Sequence, residues 1–204
     1  MKNIVTIDFD VIMAPSIDLY NHFVPLERTW DELNHIPQLR LSDGDYRHYQ
    51  RLTEWLVDMS TVLNKEQIHF IGSHEFILKY LDSNDKYNII NIDHHHDCGY
   101  DDDNSIYKTS DIDCTNWVAT AYDQGLIEKY TWLKNTNSTF VSVKAKEIVT
   151  NHYNLSDFNL NILTPPDEIY ICFSENWIPP NIRPLYFTWM DILNKIYNTT
   201  FEID

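Results

Sequence analysis

The run Tyr87-Asn88-Ile89-Ile90-Asn91-Ile92 passes without a break into Asp93-His94-His95-His96-Asp97. A short, β-branched, largely apolar stretch of this kind reads as a strand buried in a sheet. Five ionisable residues in succession are costly at a buried strand end unless something pairs them. A chain that joins the two needs a fold whose strand ends open into a shared crevice. Open α/β sheets provide one, beyond the carboxyl ends of their strands.

The rest of the chain fits that demand. Ile4 to Phe9, Gln67 to Ile71, Lys129 to Lys134 and Glu168 to Phe173 are further short apolar runs, the last stopped by Pro179-Pro180. Between the first two, Tyr49, Leu52, Leu56, Met59 and Leu63 recur at three-and-four spacing, which predicts an amphipathic helix over Asp45 to Leu63. Helices are also expected over Phe76 to Leu81, over Cys114 to Asp123 with Gly125 as its stop, and over Leu185 to Ile196. Strands alternating with helices predict an α/β fold of three layers, a mostly parallel sheet flanked by helices on both faces.

At 204 residues and 43% apolar composition, with four glycines and no repeat or low-complexity linker, the chain is expected to form a single domain over residues 1–204. Asp8 interrupts the first apolar stretch too early for a signal peptide, and no run reaches the roughly 18 apolar residues of a membrane span. Cys98, Cys114 and Cys172 are odd in number and form no CxxC, so a reducing, cytoplasmic setting is expected, with neither a disulfide framework nor a thiolate zinc site. Thirty-one acids against fifteen bases give a formal charge of -16. Such a surface repels nucleic acid and anionic membrane and attracts cations.

The polar residues collect at the expected strand ends: Asp8-Phe9-Asp10, Gly72-Ser73-His74-Glu75, Asp93 to Asp97, and Ser174-Glu175-Asn176-Trp177. Extended backbone sends alternate side chains to one side, so Asp8 is expected to converge with Asp10, and Asp93 with His95 and Asp97. With His74 added, six candidate ligands face one crevice. Four carboxylates and two imidazoles suit Mn²⁺ or a similar divalent ion. Two such ions about 3.5–4 Å apart, sharing a carboxylate, supply a nucleophilic hydroxide near neutral pH. His94 and His96 are expected to point away from His95. Asp101-Asp102-Asp103 reads as a solvated acidic loop able to draw in a cationic substrate. Trp117 and Trp177 read as core aromatics or pocket lining, and Glu75 and Glu175 as ion-paired, capping or substrate-binding acids.

These motifs resemble the arginase/deacetylase superfamily, whose metal motifs are a His after a Gly-containing turn, Asp-x-His-x-Asp and Asp-x-Asp. Here they fall on His74, on Asp93, His95 and Asp97, and on Asp8 and Asp10. Arginases carry Asp-x-Asp after the other two motifs, so the correspondence implies a circularly rearranged, arginase-like domain. The stretch from Asp93 through Cys114-Thr115-Asn116-Trp117 to Lys129-Tyr130-Thr131-Trp132, about the central third of the chain, resembles the compact branch that includes the peptide arginases. The resemblance implies a binuclear Mn²⁺ hydrolase that converts arginine in a peptide to ornithine and urea. Glu175 or Glu75 would hold the guanidinium, and His96 would shuttle the proton.

Two rivals stand beside this reading. The DHH phosphoesterases also use manganese and join an early Asp-x-Asp strand to a later Asp-His-His, the order found here, although Asp8-Phe9-Asp10-Val11 lacks the Ala and Gly/Ser usual in that class. In a non-catalytic binding module, the ions would only hold the crevice together, fully coordinated and with no position for water.

Overall fold

A computed structural model of the chain describes residues 1–12, 41, 43–99, 112–136, 138, 142–175, 178 and 181–204. Asp101-Asp102-Asp103, Asn176-Trp177 and Pro179-Pro180 lie outside the described residues. In chain order the elements are β1 (Lys2–Asp8), a 3₁₀ turn (Phe9–Ile12), α1 (Asp43–Ser60), a 3₁₀ turn (Lys65–Gln67), β2 (Ile68–Ile71), a 3₁₀ helix (His74–Lys79) and β3 (Tyr87–Ile92). They continue with α2 (Trp117–Asp123), β4 (Ile127–Lys134), α3 (Val143–Ile148), β5 (Val149–Asn154), a 3₁₀ turn (Leu160–Ile162), β6 (Glu168–Cys172) and α4 (Arg183–Tyr197).

The strands form one six-stranded sheet in the order β2-β6-β1-β3-β4-β5, and every neighbouring pair is parallel. Its central strands read as uninterrupted apolar runs because helices cover both faces. On one face Leu52, Trp55 and Leu56 of α1 meet Tyr186, Trp189 and Leu193 of α4 over Val5, Ile7 and Ile171. On the other, Trp117, Val118 and Ala121 of α2, Ala145 of α3 and Ile77 pack on Ile4, Ile89, Tyr130 and Tyr170. The fold is therefore α/β, with a parallel sheet between two helical layers.

Three expectations need correction. The segment after Ser73 is a tight 3₁₀ helix, His74–Lys79, where an α-helix over Phe76 to Leu81 was predicted. The edge strand β5 and the short helix α3 were not anticipated. β5 reads Val-Thr-Asn-His-Tyr-Asn and is half solvent-exposed, so it carries no apolar signal. The third correction concerns strand β1. Its extended backbone ends at Asp8, and Phe9–Ile12 turns at once into a 3₁₀ helix. Gly125 does stop α2: at φ +69° it takes the left-handed conformation, its N–H reaches the Tyr122 carbonyl, and Leu126 N–H closes onto Ala121.

The chain leaves β1 toward β2 on one side and arrives at β3 on the other. The connections leaving the carboxyl ends of β1 and β3 depart in opposite directions, toward β2 and toward β4, which makes the gap between these two strands the topological switch point where α/β sheets place their ligand sites. Both segments rich in aspartate and histidine end there.

Candidate metal centre

Parallel register sets the frame. Ile7 of β1 pairs with Ile92 of β3, so Asp8 and Asp93 leave the sheet at the same height. On its other side Asp8 pairs with Cys172 of β6, and Cys172 pairs with Ile71 of β2, three residues before His74. The six candidate ligands stand on the rim of these four strands.

Each is held by its own contacts. Phe9 is inserted edge-on between Tyr186 and Trp189, with ring centroids 5.4 and 4.9 Å away, and this anchors the turn that carries Asp8 and Asp10. Asp10 N–H donates to Asp8 Oδ1 at 3.2 Å, and Ser174 Oγ donates to Asp8 Oδ2 at 2.6 Å. Asp93 is fixed through a buried polar chain: Thr6 donates to Asn91, whose Nδ2 donates to Asp93 Oδ2 at 3.0 Å, while His95 N–H donates to Asp93 Oδ1 at 2.8 Å. Asp97 takes a left-handed backbone, φ 52°, which folds the chain back so that Trp117 Nε1 donates to its Oδ2 at 2.7 Å. Convergence is thus made by turns and bends, not by the extended backbone that the alternation argument assumed.

The result is three overlapping groups, each offering one ligand atom per residue within 4.8 Å of the others: Asp10, Asp93 and His95; His74, Asp93 and Asp97; Asp8, His74 and Cys172. Asp93 belongs to the first two. His74 Nδ1 lies 3.0 Å from Asp97 Oδ2, 3.3 Å from Asp93 Oδ2 and 3.5 Å from Asp8 Oδ2, and His95 Nδ1 lies 3.1 Å from Asp10 Oδ2. At these spacings each imidazole Nδ1 is within hydrogen-bonding reach of a carboxylate, His74 with Asp97 and His95 with Asp10.

The electrostatics point the same way. Asp8, Asp10, Asp93 and Asp97 are at most 5% exposed, and among the described residues no lysine or arginine pairs with any of them. Burial, then the neighbouring Asp10 charge, pushes the Asp8 carboxyl well above its ordinary range. Burial, then the Asp93 charge, raises Asp97 to about 7. Burial opposes a charge on either imidazole, yet Asp8 foremost lifts His74 well above 6.5, and Asp10 foremost lifts His95 to about 10. Asp93 is held low, because His74 outweighs the effect of burial. With protons alone the cluster stays frustrated: some acids keep protons they would ordinarily lose, and both imidazoles hold theirs. Divalent cations, if bound here, would relieve both strains at once.

The three residues expected to act on substrate belong to none of these groups. His96 is buried, with its ring edge-on to Trp132 and its Nδ1 accepting from Cys98 N–H at 3.1 Å. Glu175 is exposed and takes Arg183 Nη1 at 2.6 Å. Glu75 accepts from the neighbouring Ser73 hydroxyl. His94 sits closer to the centre: its N–H donates to Asp10 Oδ1 at 3.4 Å, its Nδ1 is 3.1 Å from Ser138 Oγ, and its ring meets His95 edge-on. Trp117, read from sequence as core or lining, is a fully buried core residue that also orients Asp97. Cys172, to which the sequence assigned no site role, enters one of these groups; a cysteine inside an apolar strand carries no signal until the register places it beside Asp8.

Compared with known proteins, the chain matches no family model, no curated protein and no solved structure.

Proposed function

We propose that this chain is a two-metal hydrolase. The observation that carries the reading is the sharing of Asp93 between two groups of potential ligands, Asp10/Asp93/His95 and His74/Asp93/Asp97. A carboxylate placed between two such groups is what a bridged pair of divalent ions requires. The ions, Mn²⁺ foremost for so oxygen-rich a set, would supply a hydroxide at neutral pH. The protein's part is to hold six ligands rigid, through Phe9, Asn91 and Trp117, and to keep the crevice free of competing cations. His95, with its side chain 21% exposed, is the most open of the six and marks the side from which water and substrate reach the centre. That opening favours catalysis over a sealed structural site.

For substrate we propose the guanidinium of arginine, carried on a peptide and cleaved to ornithine and urea, in an arginase-like domain. Its support is the resemblance of the motifs together with the charge of -16, which attracts a cationic group and repels phosphate. One observation favours a second reading. β1 and β3 are direct neighbours, so Asp8-Phe9-Asp10 precedes Asp93-His94-His95 in the chain and stands beside it in space, as the order of a DHH-type manganese phosphoesterase demands. The test is turnover by Mn²⁺-loaded protein, with an EDTA-treated control, of arginine peptides, free arginine and a phosphodiester. Metal-dependent urea supports the first reading, and metal-dependent cleavage of the diester to a phosphomonoester and an alcohol supports the second. Two bound ions with no turnover of any of these substrates overturns both substrate assignments.

A further inference from the structure

Cys172 closes β6 at the rim of the crevice, fully buried, and register sets it directly beside Asp8. Its sulfur, a ring nitrogen of His74 and a carboxylate oxygen of Asp8 all lie within 4.8 Å of one another. Its Sγ lies 3.2 Å from Ser174 Oγ, which itself donates to Asp8. A buried free cysteine is ordinarily a small apolar filler. A second observation argues otherwise here. His74 is 1% exposed, its Nδ1 faces three carboxylates, and its Nε2 has no hydrogen-bond partner among the described residues. A buried imidazole nitrogen without a partner is costly in a structural residue and expected in one that serves a metal.

We propose that Cys172 is a metal ligand, acting with Asp8 and His74 on the ion at the His74 side, so that the two positions of the centre differ in softness. The inference rests on the two-metal reading and extends it. Asp10, Asp93 and His95 offer oxygen and imidazole to a hard ion such as Mn²⁺. Asp8, His74 and Cys172 add a sulfur, which shifts preference toward Zn²⁺, Fe²⁺ or Co²⁺. On binding, the thiol proton passes to solvent and an Sγ–metal bond takes its place. Ser174 keeps its hydrogen bond to Asp8 and holds that carboxylate in position. Cys98 and Cys114 belong to none of the three ligand groups.

Co²⁺ reports sulfur ligation directly, through a thiolate-to-metal charge-transfer band in the near ultraviolet. Titration of the full chain with Co²⁺ is expected to give two ions per chain and this band. The band should be lost in Cys172→Ser and retained in the Cys98→Ser/Cys114→Ser double variant. That double variant leaves Cys172 as the sole thiol, so the result does not depend on Cys172→Ser folding. Two bound Co²⁺ without the band, or a band that survives in Cys172→Ser, overturns the ligand role of Cys172 and leaves the two-metal centre standing. Failure to bind two Co²⁺ overturns the centre itself, and the ligand role with it.

Discussion

The two ends of strand β1 carry charge in opposite ways. At its amino end Lys2 lies 3.3 Å from Asp85 and 3.9 Å from Glu168, and the three side chains are 40%, 34% and 25% exposed. At its carboxyl end Asp8 joins three other aspartates, all at most 5% exposed, whose ion-pair partners among the described residues are histidines. The residue types are similar and the energetics are not. Solvent and an opposite charge satisfy the first set, so it needs nothing more. The second set sits where water cannot screen it, and burial raises the carboxyls of Asp8 and Asp97 instead of leaving them ionised. An acidic surface is therefore uninformative by itself; acids drawn inward without a lysine or arginine mark the candidate site.

The sharpest break in that comparison comes from Asp93→Asn. Losing the shared carboxylate should lower metal affinity by more than about a hundredfold, beyond the 10–100-fold typical of removing a supporting residue, and abolish turnover. Circular dichroism and metal analysis check both, and wild-type stoichiometry in this variant contradicts the bridge.

Next in size is the dependence on pH. Asp97 in the folded chain has its pKa raised from 3.8 to about 7, and His95 from 6.5 to about 10. A raised folded pKa adds stability that is complete below the unfolded value and is lost as pH climbs through the folded one. In EDTA the protein should therefore lose stability from about pH 4 to 7 through Asp97, and from about 6.5 to 10 through His95. Mn²⁺ requires both groups deprotonated, so its affinity should rise over the same range. Melting curves with EDTA and with Mn²⁺ should separate increasingly as pH rises; parallel curves would count against these groups as ligands.

How much of this was legible in the sequence follows from the same physics. The central strands and the helices α1 and α4 announce themselves because each buries a continuous run or stripe, Tyr49-Leu52-Leu56 being the clearest. The gathering of the six candidate ligands was legible because ionisable residues directly after such runs have few structural uses. What escaped was non-local. β5 is an exposed edge whose side chains have nothing to bury, the Asp8–Asp10 approach depends on a 3₁₀ turn pinned by Phe9 under Tyr186 and Trp189, and Cys172 gains meaning only from its register with Asp8. The contacts that His96, Glu175 and Glu75 make likewise depend on backbone direction after the strand ends, which no local pattern specifies.

A smaller effect is expected at Trp117→Phe. The indole N–H that orients Asp97 is removed while most of the packing stays, so metal affinity should fall about 10–100-fold with the fold retained, as isothermal titration would show. Smallest of all, Lys2→Ala should cost less than about 1 kcal/mol in a denaturant titration and leave metal content unchanged, because the Lys2 pairs are solvated.

The central claim is that two ions share Asp93, and electron paramagnetic resonance of the Mn²⁺-loaded chain, together with its metal content, tests it most directly. The account predicts two Mn²⁺ per chain with the spectrum of an exchange-coupled pair, a coupling that disappears in Asp93→Asn. One ion per chain, or two that give only the spectrum of isolated Mn²⁺, would contradict it.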